Sequence, residues 1–228
     1  MSILCTICAR SGSKGLKNKN FLKIGNTSLI NYTINQALKL REIDNIIISS
    51  DAKSIKKIKN KKITYLLRPS SLAGDKVGKL DVIRHALKIA ENSLGKEFKI
   101  ILDLDVTSPL RKENDIKNCI KLFKRKNYNN LITICNARKN PYFNMIEKKG
   151  KKFDLIKKKK KKFKRRQDAP KIYELNAAIY LWRKKYLLKS NNLFSNKTTY
   201  YQMPYNRSID IDNLTDLKIV KFLFKGLN

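Results

Sequence analysis

The chain contains 228 residues, which is enough for one large domain with a buried hydrophobic core. Hydrophobic residues make up 42% of it, and no apolar run approaches the roughly 20 residues of a membrane-spanning helix, which argues against a membrane protein. Its 52 Lys and Arg residues against 18 Asp and Glu residues give a net charge of +34, which favours an anionic partner, with nucleic acid among the candidates.

The first two thirds of the chain alternate between strand and helix patterns. Short β-branched or apolar runs predict strands at residues 3–9, 45–49, 63–67, 98–104 and 131–135. Apolar residues at helical spacing predict helices at residues 28–40, 52–59, 80–90 and 115–125, and Thr27 or Ser28 caps the first of them. Strands that alternate with helices indicate βαβ units and a mainly parallel sheet.

The last third of the chain has a less regular pattern. Shorter strands are predicted at residues 142–147, 153–156 and 179–181, and a closing helix is predicted at residues 214–224. No repeat and no Pro/Gly-rich linker divides the chain, so the sequence predicts a single α/β domain over residues 1–228 with a β insertion at about 138–175. The basic tract KKKKKKFKRR at residues 157–166 lies inside this insertion and is interpreted as a solvated loop.

The first predicted strand is followed at once by a basic, glycine-containing segment, ARSGSKGLKNKN at residues 9–20. Gly12 and Gly15 allow the backbone to come close to a ligand and to point its N–H groups at an anion. Positive charge comes from three side chains that a curled loop brings together: Arg10, Lys14 and Lys19. The segment has neither the Walker pattern nor the dinucleotide pattern GxGxxG. It predicts a phosphate-binding loop, and the alternative is a flexible surface loop.

Three further segments place polar side chains where a parallel sheet binds its ligands, at the carboxyl ends of strands. They are DVTSPLR at residues 105–111, RRQDAPKIYELNAAIYL at residues 165–181 and SIDIDNLTDL at residues 208–217. In an extended chain Asp210 and Asp212 project to one face, about 7 Å apart. Such carboxylates repel each other unless a cation lies between them, and Mg²⁺ binds through one or two carboxylates together with substrate phosphates. The alternative is that Asp212 caps the last helix and Asp210 is solvated.

The order of these segments resembles one enzyme family. ARSGSKGLKNKN, the strand ending in SSD, LRPSSLAGD, TSPLR, RRQDAPKIYELNAAIY and SIDID follow one another over roughly residues 3–225, as in the acylneuraminate cytidylyltransferases, the CMP-sialic-acid synthetases. The resemblance implies a Rossmann-like nucleotidyltransferase fold, with a mostly parallel mixed sheet flanked by helices and a small β dimerisation segment. It implies transfer of CMP from CTP to the anomeric hydroxyl of a nine-carbon α-keto acid sugar, with Mg²⁺ as cofactor and release of pyrophosphate. It also implies a homodimer in which a β segment of one subunit reaches toward the other's site.

Residue by residue, the resemblance assigns roles to four groups of side chains. The triphosphate-cradling loop corresponds to Arg10, Ser11, Gly12, Ser13, Lys14, Gly15, Lys19 and Asn20. The cytosine side corresponds to Arg68 and Lys79, and the sugar side corresponds to Asp105, Arg166 and Asn176. The metal-binding aspartates correspond to Asp210 and Asp212. The residues expected to act in catalysis are Arg10, Lys14, Lys19 and Asp212.

Two positions depart from the pattern of the sialate-specific members. Those members tend to have glutamine, within QPTSPLR, where this chain has Asp105. A serine often contacts cytosine where this chain has Lys79. Both departures favour a bacterial nonulosonic acid such as legionaminic or pseudaminic acid over N-acetylneuraminic acid, with legionaminic acid preferred.

Two other functions remain open on the sequence alone. A 3-deoxy-manno-octulosonate cytidylyltransferase shares the fold, although RRQDAP and SIDID favour the acylneuraminate type. A basic α/β protein that binds RNA or DNA without turnover would also explain the charge. Because CTP and the sugar acid are both anions, a basic site needs no nucleic acid, and neither a specific nucleic acid nor a membrane is expected as partner. The first residues do not read as a signal peptide, so we expect a cytoplasmic protein.

Overall fold

The fold is described from a computed structural model that covers residues 1–12, 15–52, 58–159 and 163–226. In chain order its strands are β1 (Ile3–Ala9), β2 (Lys23–Ile24), β3 (Thr27–Ser28), β4 (Asn45–Ser50), β5 (Ile63–Leu67), β6 (Ile100–Leu104), β7 (Asn130–Asn136), β8 (Ile146–Lys149), β9 (Lys152–Leu155), β10 (Tyr173–Arg183) and β11 (Thr198–Gln202). The helices are α1 (Leu29–Leu38), α2 (Lys79–Leu94), α3 (Glu113–Arg125), α4 (Lys184–Lys189) and α5 (Leu214–Lys225).

Seven of these strands form one sheet in the order β11-β7-β10-β6-β1-β4-β5. Neighbouring strands run parallel, except that β10 is antiparallel to both β6 and β7. Two short hairpins, β2 with β3 and β8 with β9, lie outside this sheet. The mostly parallel mixed sheet expected from the alternating pattern is therefore confirmed.

Helices cover both faces of the sheet. Alternate residues of β1 point to opposite sides, because successive side chains in a strand do so. Ile3 and Ile7 belong to a buried cluster with residues of α1, α3 and α5. Leu4 belongs to a second cluster with residues of α2 and α4. Continuous burial on both faces explains why the central strands are apolar along their whole length.

Capping residues set the ends of several helices. The hydroxyl of Ser28 accepts a hydrogen bond from the Asn31 backbone N–H at 3.3 Å, so Ser28 is the N-cap of α1. Helix α2 ends at Gly95, whose φ of +56° lies in the left-handed region that favours glycine. Asn213 caps α5: its side chain accepts from the N–H of Asp216 at 3.0 Å, and Asp216 accepts from the N–H of Asn213 in return.

The irregular last third differs from the sequence prediction in its details. Strand β10 has 11 residues rather than the three predicted. The prediction was too short because the first half of the strand, YELNA, carries polar residues that break the apolar run. The hairpin β8–β9 turns at Gly150 and begins four residues later than predicted. Helix α4 and strand β11 were not predicted. The helix predicted at residues 52–59 falls largely on residues outside the described ranges.

Strand β10 is irregular next to the carboxyl end of β6, where Ile179 pairs with Leu104. The register of β10 against β7 shifts between Leu175 and Tyr180, and Ala177 has a φ of +53°. The shift is a β-bulge, which redirects side chains next to it. Among the described residues, no helix is both long enough and apolar enough to cross a membrane.

Candidate active site

A cleft of about 620 Å³ lies at the carboxyl ends of the parallel strands. Arg10, Arg68 and Asp105 line it, and each comes directly after a strand: β1, β5 and β6 respectively. The remaining charged lining residues are Lys19, Asp75, Lys79, Asp210 and Asp212. The sheet topology therefore assembles charged residues that are up to two hundred positions apart in the sequence, as expected for an open parallel sheet.

The loop after β1 is fastened by three contacts. Asp51, directly after β4, accepts from the Ser11 backbone N–H at 2.7 Å and from the Ser11 hydroxyl at 2.8 Å. Burial alone would raise the pKa of Asp51, but the hydrogen bonds from Ser11 outweigh it and the pKa is lowered. Asn20 donates its amide to the carbonyl oxygen of Arg10 at 2.9 Å. A Cβ at Gly15 would lie 2.6 Å from the carbonyl oxygen of Asp212, so the close approach of these two segments requires glycine.

At the end of the cleft nearest this loop, each of two cations pairs with one carboxylate. Arg10 Nη1 lies 2.6 Å from Asp75 Oδ1, and Lys19 Nζ lies 2.9 Å from Asp212 Oδ1. The carboxylate side chains are 40% and 72% exposed, respectively. We call Arg10, Lys19, Asp75 and Asp212 the loop end of the cleft. Exposed pairs of this kind are weak, so an anionic ligand can take the place of either carboxylate.

The cleft also borders a more enclosed charge cluster, Lys79 between Asp103 and Asp105, which we call the floor. Lys79 Nζ lies 2.8 Å from Asp103 Oδ2 and 2.7 Å from Asp105 Oδ2. Burial alone would lower the pKa of Lys79, but the two carboxylates outweigh it and raise that pKa well above its ordinary value. Burial would likewise raise the pKa of Asp105, and Lys79 with Thr107 instead holds it well below the ordinary value. All three groups of the floor are thus held in place by one another.

A buried guanidinium supports the turn that carries Asp105. Arg111 is 1% exposed and donates to the carbonyl oxygens of Asp105 and Ser108 and to the hydroxyl of Thr33. Burial lowers the pKa of Arg111 to about 10. Arg68 has a similar structural anchor, since its Nε and Nη2 donate to the hydroxyl and the carbonyl oxygen of Ser49 at 3.1 and 2.8 Å.

The two aspartates of the SIDID segment lie on one side of an extended stretch, as predicted. Ile211 between them is fully buried, and its N–H donates to the Thr107 carbonyl oxygen at 2.9 Å. Asp210 and Asp212 both line the cleft. Burial and the neighbouring charge of Asp105 raise the pKa of Asp210. The alternative in which Asp212 caps the last helix is wrong, because Asn213 performs that role and Asp212 pairs with Lys19.

The sequence matches a family model described as cytidylyltransferase over residues 4–225, nearly the whole chain. It is 41% identical over 228 residues to the CMP-N,N'-diacetyllegionaminic acid synthase of Campylobacter jejuni subsp. jejuni serotype O:2, covering 99% of this chain and 96% of that protein. It is 40% identical, with the same coverage, to the post-translational flagellin modification protein B of Campylobacter coli. The chain belongs to the cytidylyltransferase family. A more distant member, the N-acylneuraminate cytidylyltransferase of Streptococcus agalactiae serotype III, is 31% identical over 98% of this chain and 54% of its own length.

Solved cytidylyltransferase structures share the fold at low sequence identity. A CMP:2-keto-3-deoxy-manno-octonic acid synthetase complexed with CTP superimposes with a TM-score of 0.67 at 13% identity, covering all of both chains. A 4-diphosphocytidyl-2C-methyl-D-erythritol synthase gives a TM-score of 0.68 at 11% identity, covering 97% of this chain and 98% of that one. At these identities the likeness establishes the architecture alone.

Most residues that the sequence assigned to this cytidylyltransferase site come together in the cleft. They are Arg10, Gly15, Lys19, Asn20, Arg68, Lys79, Asp105, Asp210 and Asp212. Ser11 contacts Asp51 instead of lining the cleft, and Gly12 does not line it either. Ser13 and Lys14 lie outside the described residues.

Two predicted sugar-side residues lie elsewhere. Arg166 lines a second cleft of about 700 Å³ beside the start of β10, where its Nη2 donates to the Ala137 carbonyl oxygen at 3.1 Å. Asn176 is 3% exposed, and its side-chain amide donates to the Ser208 hydroxyl at 2.8 Å. Its backbone carbonyl oxygen accepts from the Ser108 hydroxyl at 3.2 Å. In the described chain Asn176 therefore ties the turn after β6 to the segment that carries Asp210.

The sequence analysis missed three acidic residues that shape the site: Asp51, Asp75 and Asp103. Asp103 left a usable signal, because it interrupts the apolar run FKIILDL, and a carboxylate inside a buried strand requires a cationic partner. Asp51 and Asp75 occur in ordinary polar loops, where nothing in the sequence indicates their partners.

Proposed function

We propose that this cytidylyltransferase transfers CMP from CTP to the anomeric hydroxyl of a nonulosonic acid, with N,N'-diacetyllegionaminic acid as the preferred acceptor, and releases pyrophosphate. One observation carries the proposal: a single cleft joins the cations Arg10, Lys19 and Arg68 to the carboxylates Asp210 and Asp212. Cations suit a triphosphate and hard oxygen ligands suit its metal ion. The choice of acceptor is supported by the two relatives of 40–41% identity that span the whole chain.

The chain's own residues contribute mainly by binding and orientation. The hydroxyl oxygen attacks the α-phosphorus and gives up its proton to solvent, the bond from that phosphorus to the oxygen bridging to the β-phosphate breaks, and pyrophosphate leaves. In such transfers the protein aligns the attacking and leaving oxygens and neutralises negative charge. Arg10 and Lys19 are placed to bind the phosphates, each exchanging its carboxylate partner for a phosphate oxygen.

The proposal includes Mg²⁺, and the carboxylate oxygens available in the cleft suit this ion. Asp210 and Asp212 supply carboxylate oxygens that line the same cleft, and the pKa of Asp210 is raised by burial and by the neighbouring charges of Asp105 and Asp212. When bound, the ion would offset charge on the triphosphate and on the leaving pyrophosphate. Asp212 would have to exchange Lys19 for the ion, which fits a carboxylate that is 72% exposed. Among the described residues, no group of three or more acidic, histidine or cysteine side chains forms a metal cage, which agrees with an ion held partly by substrate phosphates.

We also propose that the enzyme acts in the cytoplasm as a homodimer. The hairpin β8–β9 exposes Ile146 and Phe153, at 61% and 66%, and the start of β10 exposes Leu175. Exposed apolar side chains of this kind indicate a protein interface. Arg166, which lines the second cleft near this surface, would then bind the sugar acid from across the interface or from the adjoining edge of the site.

The proposed function is tested by pyrophosphate release with CTP and four acceptors: N,N'-diacetyllegionaminic, N-acetylneuraminic, pseudaminic and 3-deoxy-manno-octulosonic acid. We expect the highest kcat/KM with N,N'-diacetyllegionaminic acid, no release without an acceptor, and loss of release on chelation of Mg²⁺. A reaction with UTP in place of CTP is the control for recognition of the cytosine base. A folded protein that releases no pyrophosphate with any of the four acceptors would overturn the proposal.

A further inference from the structure

The ammonium group of Lys79 is held by contacts within the protein. It contacts Asp103 Oδ2 at 2.8 Å and Asp105 Oδ2 at 2.7 Å, and it lies 5.2 Å from the centre of the Tyr180 ring. An ammonium group has three N–H donors. One N–H donates to Asp105 Oδ2, Asp103 Oδ2 adds a second negative charge at contact distance, and the aromatic ring is a further attractive neighbour of the cation. The protein's own groups therefore hold the charge of Lys79 in place, although its side chain is 37% exposed.

The two carboxylates also offset an unfavourable position of this lysine. Lys79 is the first residue of α2, a helix of 16 residues, and the positive end of the helix dipole disfavours a cation there. Asp103 is 1% exposed at its side chain and would be an unpaired buried charge without Lys79. The position of Lys79 at the edge of the cleft is thus set by charges of the protein.

Asp105 is fixed just as firmly but remains accessible. Its Oδ1 accepts from the Thr107 N–H at 3.0 Å and from the Thr107 hydroxyl at 2.8 Å, and its Oδ2 is held by Lys79. Its side chain is nevertheless 23% exposed and lines the cleft. An ionised carboxylate only accepts hydrogen bonds, with lone pairs to spare after these contacts. It attracts a neutral donor and repels phosphate or carboxylate, which discriminates between the parts of an anionic substrate.

We propose that Lys79 and Asp105 act as one specificity-determining unit on the acceptor side of the site. Asp105 accepts a hydrogen bond from a hydroxyl or acylamino N–H of the sugar acid, and Lys79 acts through Asp105 as a positioning residue. This role for Lys79 replaces the direct contact with cytosine that the sequence resemblance assigned to it. The inference rests on the proposed function, because it specifies how that same site selects its acceptor.

The test is a double-mutant cycle with Lys79→Ser, Asp105→Gln and both changes together. For each protein we measure KM for CTP and the ratio of kcat/KM between N,N'-diacetyllegionaminic and N-acetylneuraminic acid. Asp105→Gln is expected to change that ratio about 10-fold, the size of one lost charge-assisted hydrogen bond. Lys79→Ser is expected to change it in the same direction, with KM for CTP within about twofold of wild type. The double variant should be no worse than the worse single variant, because both changes disable one unit.

A matched control exists in Lys184, the first residue of α4, which pairs with a carboxylate near the C-terminal end of α2. Lys184 Nζ also lies between two carboxylates, 2.9 Å from Glu91 and 3.3 Å from Glu97, but away from the cleft. Lys184→Ser should therefore leave the acceptor ratio unchanged. Because Lys79→Ser leaves Asp103 without its cation, the change is also made together with Asp103→Asn, which keeps the measurement possible if the single variant does not fold.

The outcomes separate this inference from the function on which it rests. Additive effects of the two substitutions, or a Lys79→Ser variant with a raised KM for CTP and an unchanged acceptor ratio, would overturn the Lys79–Asp105 unit alone. A wild-type protein that turns over no acceptor with CTP would overturn the proposed function itself.

Discussion

The loop end and the floor of the cleft hold their charges in different ways. At the loop end, Arg10 and Lys19 each pair with one carboxylate that is 40% or more exposed. At the floor, Lys79 lies between two carboxylates, one of which is 1% exposed. An exposed ion pair contributes about 0–1 kcal/mol, whereas removing one partner of a buried pair costs about 3–5 kcal/mol. The cleft therefore combines exchangeable charges, where substrate anions are proposed to bind, with fixed charges that determine its shape.

The largest effect is expected at the loop end, from Asp212→Asn. The amide keeps the size of the side chain but lacks the charge that Mg²⁺ needs, so kcat/KM should fall by about 10²–10³. Raising Mg²⁺ should restore part of the loss. The melting temperature should stay at the wild-type value, because Asn213 rather than Asp212 caps α5.

Asn213→Ala is the matched control for that prediction, since it removes the cap next to Asp212. It should lower the free energy of unfolding by about 1 kcal/mol while pyrophosphate release is largely kept. Wild-type activity in a folded Asp212→Asn protein would contradict the role of Asp212 at the loop end.

The comparison between the loop end and the floor predicts that removing a cation destabilises the protein more at the floor. Lys79→Met should lower the free energy of unfolding by about 2 kcal/mol, less than for a fully enclosed pair because Lys79 is 37% exposed at its side chain. Arg10→Met should change it by less than about 0.5 kcal/mol, because its pair with Asp75 is exposed. Urea unfolding measures both. Equal losses in the two variants would show that the floor is no more fixed than the loop end.

A smaller effect is expected from the anchor of the loop, Asp51. Its pKa is lowered by the hydrogen bonds from Ser11 despite burial, so its contribution to stability is complete above the unfolded-state pKa of about 3.9 and is lost as pH falls toward the lowered value. In Asp51→Asn the melting temperature should therefore fall less steeply between about pH 5 and pH 2. Parallel curves for the variant and the wild type would show that Asp51 carries no pH-dependent stability.

The smallest effect is expected outside both regions, in the basic tract. Lys157 and Lys159 lie over the ring of Tyr142, away from the residues that line the cleft, and residues 160–162 lie outside the described ranges. Replacing residues 157–162 with a Ser/Glu/Lys mixture should leave kcat/KM for CTP within about twofold of wild type. Binding of nucleic acid through this tract should fall with the same replacement and with added salt. Lost turnover in a folded variant would place the tract in the site.

The sequence predicted the fold best where residue type and hydrophobic periodicity indicate the same element. Strands β1, β4, β6 and β7 are buried on both faces and read as apolar runs, and the helices between them show regular spacing. The prediction was weaker for β10, whose polar first half and bulge at Ala177 depend on the partner strands rather than on local preference.

For the site, the sequence located the segments but not the pairings within them. The segments of Arg10 and Asp105 were located by the rule that ligands bind at the carboxyl ends of parallel strands, whereas Arg68 was assigned by the family resemblance. The pairing of Lys79 with Asp105 could not be predicted, because the two residues are 26 positions apart and each was assigned to a different substrate. Contacts between side chains on different elements depend on how α2 packs against β6, which no local pattern encodes.

The central claim is that this cleft joins CMP to a nonulosonic acid. It is tested most directly by phosphorus NMR of a reaction containing the protein, CTP, Mg²⁺ and N,N'-diacetyllegionaminic acid. The account predicts that one phosphodiester between CMP and the sugar forms for each pyrophosphate released, and that neither forms when the acceptor is omitted. Formation of free CMP and pyrophosphate at the same rate with and without the acceptor would contradict it.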